Sequence, residues 1–291
     1  MKKLTFLFLL CVCALPALAR TVDVSAIYTG ASAFNQVQAS ATFAPTLNLL
    51  TGIEAKFVKE KTFKDPIYMV ALPMSLNLEM LRFHVRPFYY FKNKSDVPGW
   101  QDASAFGVNG QVRLMMRNDE INDIYTYAFL GAAFARQKGT VFYDNDPEEN
   151  RYYSQAAYQV GFSQTLFNAF GFDVIGTAFQ YPDGIKGVSG LRSIMNQQEL
   201  GYTQTFDIVH HLAKYTVGAR LTRLWIENSS SLYAGYRYGE YHDAQSEHSF
   251  MIGNSFTISH RVAVDIAYNH VRTVHNKNKR DIFYIQLETS F

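Results

Sequence analysis

The 291-residue chain carries 27 Lys and Arg against 25 Asp and Glu, a balance too even to point to nucleic acid. Its two cysteines, Cys11 and Cys13, lie together near the N-terminus, so the rest of the chain has no thiol and no disulfide framework. Aromatic residues stand out instead, with 19 Tyr and 23 Phe spread along a sequence of slightly negative mean hydropathy.

Residues 1–19 have the pattern of a secretory signal. Lys2 and Lys3 supply the positive start, Leu4 to Ala14 the apolar core, and Ala17-Leu18-Ala19 the small-x-small cleavage site. The expected mature domain is 20–291. Without the two leader lysines the acidic and basic residues balance. No later apolar run reaches the ~20 residues of a membrane-spanning helix.

Beyond the leader, the chain reads as a series of alternating strands. Val22, Val24, Ala26 and Tyr28 share one side of the first, which turns around Gly30 into a second strand bearing Val37, Ala39, Ala41 and Phe43. A third strand sets Leu47, Leu49, Thr51, Ile53, Ala55 and Phe57 against Asn48, Gly52, Glu54 and Lys56, and the charged run Lys59 to Pro66 follows as a loop. Ile67 to Leu78 is expected as one strand. After the Glu79-Met80 turn, Leu81 to Phe91 places Leu81, Phe83, Val85, Pro87 and Tyr89 opposite Arg82, His84, Arg86, Phe88 and Tyr90.

Lys92 to Gln101 is a second loop. The next strand, Ala105 to Arg117, turns Val108, Val112, Leu114 and Met116 one way and Asn109, Gln111 and Arg113 the other. A turn at Asn118 to Asn122, a strand from Tyr125 to Ala133 and a long acidic loop from Gln137 to Arg151 come next. Tyr152 to Leu166 and Phe170 to Tyr181 then flank the tight Phe167-Asn168-Ala169 turn. Pro182 to Asn196 is ambiguous: one long loop before a strand at Gln197 to Phe206, or an Asp183-Gly184 hairpin followed by a short strand from Lys186 to Ile194. The remaining strands are Lys214 to Trp225, Leu232 to Tyr241, Ser249 to Ile258, Val262 to Val274 and Ile282 to Phe291, with a basic loop at Thr273 to Arg280.

The final strand puts Phe283, Ile285, Leu287 and Phe291 on one side and Tyr284, Gln286, Glu288 and Ser290 on the other. An apolar strand ending in Phe resembles the C-terminal signal of bacterial outer-membrane β-barrel proteins. That resemblance implies an all-β fold, a closed antiparallel transmembrane barrel in the outer membrane of a Gram-negative-type bacterium. It also implies recognition of the strand ending at Phe291 by barrel-assembly machinery. The chain length gives about fourteen to sixteen strands of ~9–11 residues each. Leu232 to Phe291 also looks similar to the barrels of surface-lipoprotein assembly modifiers, whose preceding helical repeat domain this sequence lacks. Rims of Phe88 to Phe91, Tyr152, Tyr153, Tyr238 and Tyr241 at one end, and Phe167, Phe170 and Trp225 at the other, match interfacial girdles. A soluble β-sandwich would instead show polar outer faces.

Function then belongs to the inward face. Arg82, His84, Arg86 and Arg113 form a cationic ladder, and Glu54, Lys56, Arg220, Arg237, Asp265 and Glu288 also point inward. Arg82, His84, Arg86, Arg113, Glu54, Arg237 and Asp265 are the candidate pore-lining residues. Such an arrangement suits a channel for small polar solutes, with a bias toward anions. The competing arrangement pairs these arginines with Glu54 and other carboxylates in a network that plugs or rigidifies a non-conducting barrel.

No nucleophile and base stand at a diagnostic spacing, so the chain is not expected to be an enzyme; an outer-membrane hydrolase would need chemistry at His210-His211 or His242-Asp243. No cofactor is expected. The oxygen ligands of Asp144 to Glu149 lack the glycine and closing glutamate of a calcium loop. The basic segments around Lys59, Lys61, Lys64, Lys277, Lys279 and Arg280 are candidates for contact with lipopolysaccharide phosphates.

Overall fold

A computed structural model describes residues 22–32, 34–60, 66–92, 104–143, 146–184, 212–226, 230–242, 244–259, 261–274 and 279–290. The signal segment, the two alternative strands between 186 and 206, His210-His211 and the terminal Phe291 lie outside these residues.

Strand-forming alternation produces fifteen β segments: β1 (Val22–Ala31), β2 (Phe34–Phe43), β3 (Leu49–Glu60), β4 (Ile67–Ala71), β5 (Met74–Leu78), β6 (Leu81–Tyr90), β7 (Ser104–Asp119), β8 (Ile124–Tyr143), β9 (Asp146–Leu166), β10 (Phe170–Gln180), β11 (Ala213–Ile226), β12 (Ser230–Tyr241), β13 (Glu247–Ser259), β14 (Val262–Thr273) and β15 (Lys279–Ser290). Each pairs antiparallel with its sequence neighbours, apart from the split at β4 and β5. The ring closes where β1 meets β15, from Asp23↔Ser290 to Ala31↔Ile282. Closure leaves no unpaired edge, which hydrocarbon demands because it cannot hydrogen-bond a bare backbone.

The expected strand from Ile67 to Leu78 is two segments sharing one place in the wall. Both β4 and β5 pair with β3 on one side and β6 on the other. Pro73 has no N–H to give the ladder. The chain bulges at Leu72-Pro73, where the Leu72 amide donates to the Pro87 carbonyl at 3.0 Å and the Gly52 amide to the Pro73 carbonyl at 2.9 Å. The barrel therefore has fourteen strands by position, at the lower end of the expected range.

Parity follows from a direct pairing. β10 pairs directly with β11 from Phe170↔Arg223 to Ala178↔Tyr215, and fourteen strands bring the start of β1 and the end of β15 to the same end of the barrel. Every connection at that end is short, whereas the long ones, 91–103 and 181–212, lie at the other, so it is the periplasmic one. At the β9–β10 turn, Phe167 and Asn168 hold φ values of 55° and 47°, and the Ala169 amide donates to the Leu166 carbonyl at 3.0 Å. At the β7–β8 turn, outside the membrane, Asp119 accepts hydrogen bonds from the Asn122 side chain and amide and from Arg117; these hold its carboxyl below the usual carboxylate range.

At the other end the loop expected over Gln137 to Arg151 is ladder instead. β8 and β9 stay paired from Tyr125↔Thr165 to Tyr143↔Asp146. Strands of 20 and 21 residues exceed the ~9–11 that cross a bilayer, so this hairpin stands out beyond the membrane on the extracellular side. The acidic side chains of 144–149 fall outside the described ones.

Alternation sets the two faces of the wall. On β15, Ile285 is 46% exposed while its neighbour Tyr284 is 5% exposed. The same contrast separates exposed Val108, Val112, Leu114 and Met116 from buried Asn109 and Gln111 on β7. The exposed apolar side is the lipid face, and the covered, largely polar side lines the lumen. Interfacial aromatics are fewer than the sequence suggested. Tyr89, Phe91, Tyr152, Phe167 and Phe170 are exposed, but Phe88, Tyr90, Tyr153 and Tyr241 are buried. Adjacent strand residues face opposite ways, so half of any aromatic run must point inward.

Candidate functional site: the lumen wall

Register brings the two predicted arginine strands together. Arg82 on β6 is the direct partner of Arg113 on β7, and both point into the lumen. Arg82 is exposed and Arg113 half-buried. Arg113 lies with its guanidinium carbon 3.6 Å from the centroid of the Tyr127 ring on β8, a geometry in which the ring face attracts the cation. Two like charges on one rung repel strongly in a dry interior and weakly beside water.

One turn of the ladder further from the periplasm, His84 Nδ1 sits 2.8 Å from the Ser75 hydroxyl of β5. Arg86 turns to Glu54 on β3. Arg86 Nε donates to Glu54 Oε2 at 2.9 Å, and Arg86 Nη2 donates to Glu54 Oε1, a two-pronged pair whose side chains are only 12% and 8% exposed. Lys56 is buried on the same face of β3.

A polar belt continues round the wall. Gln111 donates to Gln159 at 3.4 Å across Gly131, and Gln159 donates to Thr177 at 3.2 Å. Arg220 on β11 donates to Asp173 on β10 from Nε at 3.1 Å and from Nη2 at 3.0 Å, with its guanidinium carbon 5.7 Å from the Tyr233 ring centroid. The Tyr233 hydroxyl donates to Asp265 on β14. Higher up, Arg237 donates to the Tyr241 hydroxyl at 3.5 Å, Tyr241 donates to Glu247 at 3.3 Å, and Arg280 reaches Glu247 from β15. Asp23 accepts from Ser290 at 2.6 Å, and Glu288 accepts from Gln286.

The candidate residues thus form three groups. Glu54, Arg82, His84, Arg86 and Arg113 cluster on β3, β6 and β7; Arg237 and Asp265 stand apart on β12 and β14. The sequence reading missed Asp173, Tyr233, Tyr241, Glu247 and Gln159 as partners. It also misplaced Arg280, expected in a loop facing lipopolysaccharide: β15 begins at Lys279, and Arg280 shares the inward face of Ile282 and Tyr284. Counting the alternation back from Phe283 carries that signal. Of the histidine sites raised for chemistry, His242 packs against the Tyr181 ring with centroids 5.6 Å apart.

In the extracellular half of β3 to β9 an apolar cluster fills much of the inside, beside buried Gln137 and Gln155. Val58, Met69, Phe88, Tyr90, Ala105 and Ala135 belong to one buried cluster. On this side of the barrel the lumen wall is therefore charged toward the periplasm and packed toward the outside, whereas on β12 to β15 the Arg237, Glu247 and Arg280 charges sit at the extracellular end.

No protein-family model matches the sequence, and no curated protein matches it. Among solved structures, the fold is similar to CymD, a monoaromatic hydrocarbon channel, with a TM-score of 0.56, 9% identity, and coverage of 93% of this chain and 88% of that one. It is also similar to CdiB from Acinetobacter baumannii, with a TM-score of 0.53, 9% identity, and coverage of 93% of this chain and 60% of that one. The chain has the closed β-barrel fold of outer-membrane channel proteins. At these identities the likeness is one of fold alone.

Proposed function

We propose that the barrel is a passive diffusion channel for small polar solutes, biased toward anions, in the outer membrane of a Gram-negative-type bacterium. The observation that carries this reading is the Arg82–Arg113 rung, where two cations share one stretch of lumen wall with Arg82 exposed. Water around that rung screens the repulsion, and the residual positive potential raises the local concentration of anions. The channel description of CymD supports the reading at the level of shared architecture. On the same reading, the strand ending at Phe291 is the part that barrel-assembly machinery takes up, and lipopolysaccharide surrounds the extracellular end.

Reconstitution in planar bilayers tests it. Discrete conductance steps are expected, with anions favoured over cations, and Arg82→Glu/Arg113→Glu should turn the preference toward cations. Absence of current at every voltage removes the channel; unchanged selectivity in the double variant removes the role of the rung.

A second reading, a non-conducting structural barrel, draws on the buried apolar cluster of the extracellular half together with the Glu54–Arg86 and Glu247–Arg280 pairs. Paired charges and packed rings brace a wall without passing solutes. The same bilayer recording decides between the two.

A further inference from the structure

On the outward face of β9 to β13, beside the periplasmic turns, lies a groove of about 410 Å³. Its floor is Ala234, the register partner of both Leu221 on β11 and Ile252 on β13, so a single methyl lies between two long, exposed aliphatic side chains. Phe170 and Phe172, both exposed, extend the lining along β10. All of these face lipid by alternation.

The periplasmic end of the groove differs in kind. Arg223 is the partner of Phe170, faces outward, and is exposed. Its guanidinium carbon sits 5.1 Å from the Phe170 ring centroid. A ring contact of this sort leaves the in-plane N–H donors available. An arginine facing lipid costs about 2–4 kcal/mol at the bilayer midplane and about 0–1 kcal/mol near the interface. Phe170 opens its strand directly after the turn, so Arg223 stands at headgroup depth with the apolar groove running from it into hydrocarbon.

We propose that this groove binds one phospholipid of the periplasmic leaflet, with an acyl chain over Ala234 and the phosphate on the Arg223 guanidinium. Charge favours a lipid over a second copy of the chain. Among the described residues of β10 to β15 the outward carboxylates are Glu240 and Asp281, both at the extracellular end, so the described strands of a second copy offer Arg223 no anion at its depth. A phosphate ester supplies one where the groove ends. The site is independent of whether the lumen conducts.

Native mass spectrometry of the purified, folded barrel tests the proposal by titration with dioleoyl phosphatidylglycerol, with dioleoylglycerol, and with inorganic phosphate. The first phosphatidylglycerol is expected to bind at least about tenfold more tightly than the next. Ala234→Trp, which fills the floor, should abolish that difference. Arg223→Gln should weaken phosphatidylglycerol to the level of dioleoylglycerol and leave dioleoylglycerol unchanged, while inorganic phosphate alone should not bind. Heat-modifiable gel migration confirms that each variant is folded, and Ala234→Leu is the gentler replacement if Ala234→Trp does not fold. Equal successive lipid steps, or a first step indifferent to the filled groove, would overturn the site. A dimer lost on filling it would overturn it in favour of a protein occupant.

Discussion

Glu54 and Arg86 show how single side chains mend a weak place in the wall. Pro73 and Pro87 both lack an N–H, and both lie where β4 gives way to β5, with the Leu72 amide beside Pro73 donating to the Pro87 carbonyl. Backbone pairing is thinnest there, and Glu54 on β3 reaches Arg86 on β6 across the same stretch from the lumen side. The inward direction of both residues is legible in the sequence as alternation on their own strands, and so is a pairing between them. The bulge that brings β3 and β6 within reach of each other is not, because an X-Pro step inside an alternating run reads equally well as an edge strand. Glu54→Gln should lower stability by about 3 kcal/mol, the low end for stripping one partner from a buried ion pair, because Arg86 then stays in place without its counter-charge. Urea unfolding in lipid vesicles measures the loss. Glu54→Leu combined with Arg86→Met should cost less than Glu54→Gln alone, since neither charge remains buried.

Pairs of strands, rather than single ones, explain the inward aromatics. Phe88 lies opposite Gly107, Phe129 opposite Gly161 and Tyr233 opposite Gly253, each across one inward-facing rung. A Cβ on Gly161 would fall 1.9 Å from Phe129 Cζ, and one on Gly253 would fall 2.2 Å from Tyr233 Cζ. The rings therefore lie over the bare glycine backbone and cover it. Alternation predicts that Phe88 and Tyr233 face inward, but a register must be known before a ring can be matched to its glycine, and register across a long connection is not written in either strand alone. The length of β8 and β9 was hidden for a related reason: a polar, Asp/Asn/Pro-containing tip reads as loop even when the backbone stays paired beyond the membrane. Gly161→Ala should destabilise by about 1–3 kcal/mol through displacement of the Phe129 ring. Phe129→Ala/Gly161→Ala should cost less than the sum of the two single changes, since the added methyl clashes only while the Phe129 ring is there. Unfolding midpoints of the three variants measure the coupling.

For the whole molecule, the decisive property is which side of the wall meets lipid. The closing strand alternates Ile282, Tyr284, Gln286 and Glu288 inward with Phe283, Ile285 and Leu287 outward, and it is held by β14 on one side and β1 on the other. A shift of one residue in its register would move every one of these side chains to the wrong solvent. Ile285 lies in mid-strand on the lipid face, whereas Gln286, one residue on, is buried against the lumen wall. Ile285→Arg should therefore cost about 2–4 kcal/mol, the depth-dependent cost of an arginine near the bilayer midplane. Gln286→Arg places the same charge next to inward Glu288 and Asp265 and should be milder. Folding yields into lipid vesicles, read as the heat-modifiable fraction, separate the two variants. In vesicles of thinner bilayer the Ile285→Arg defect should shrink and the Gln286→Arg effect should stay put, because only the outward arginine shortens its path to water when the hydrocarbon is reduced. Equal losses for both variants would mean that β15 does not present its apolar face to lipid, and the closed transmembrane barrel would lose its physical basis.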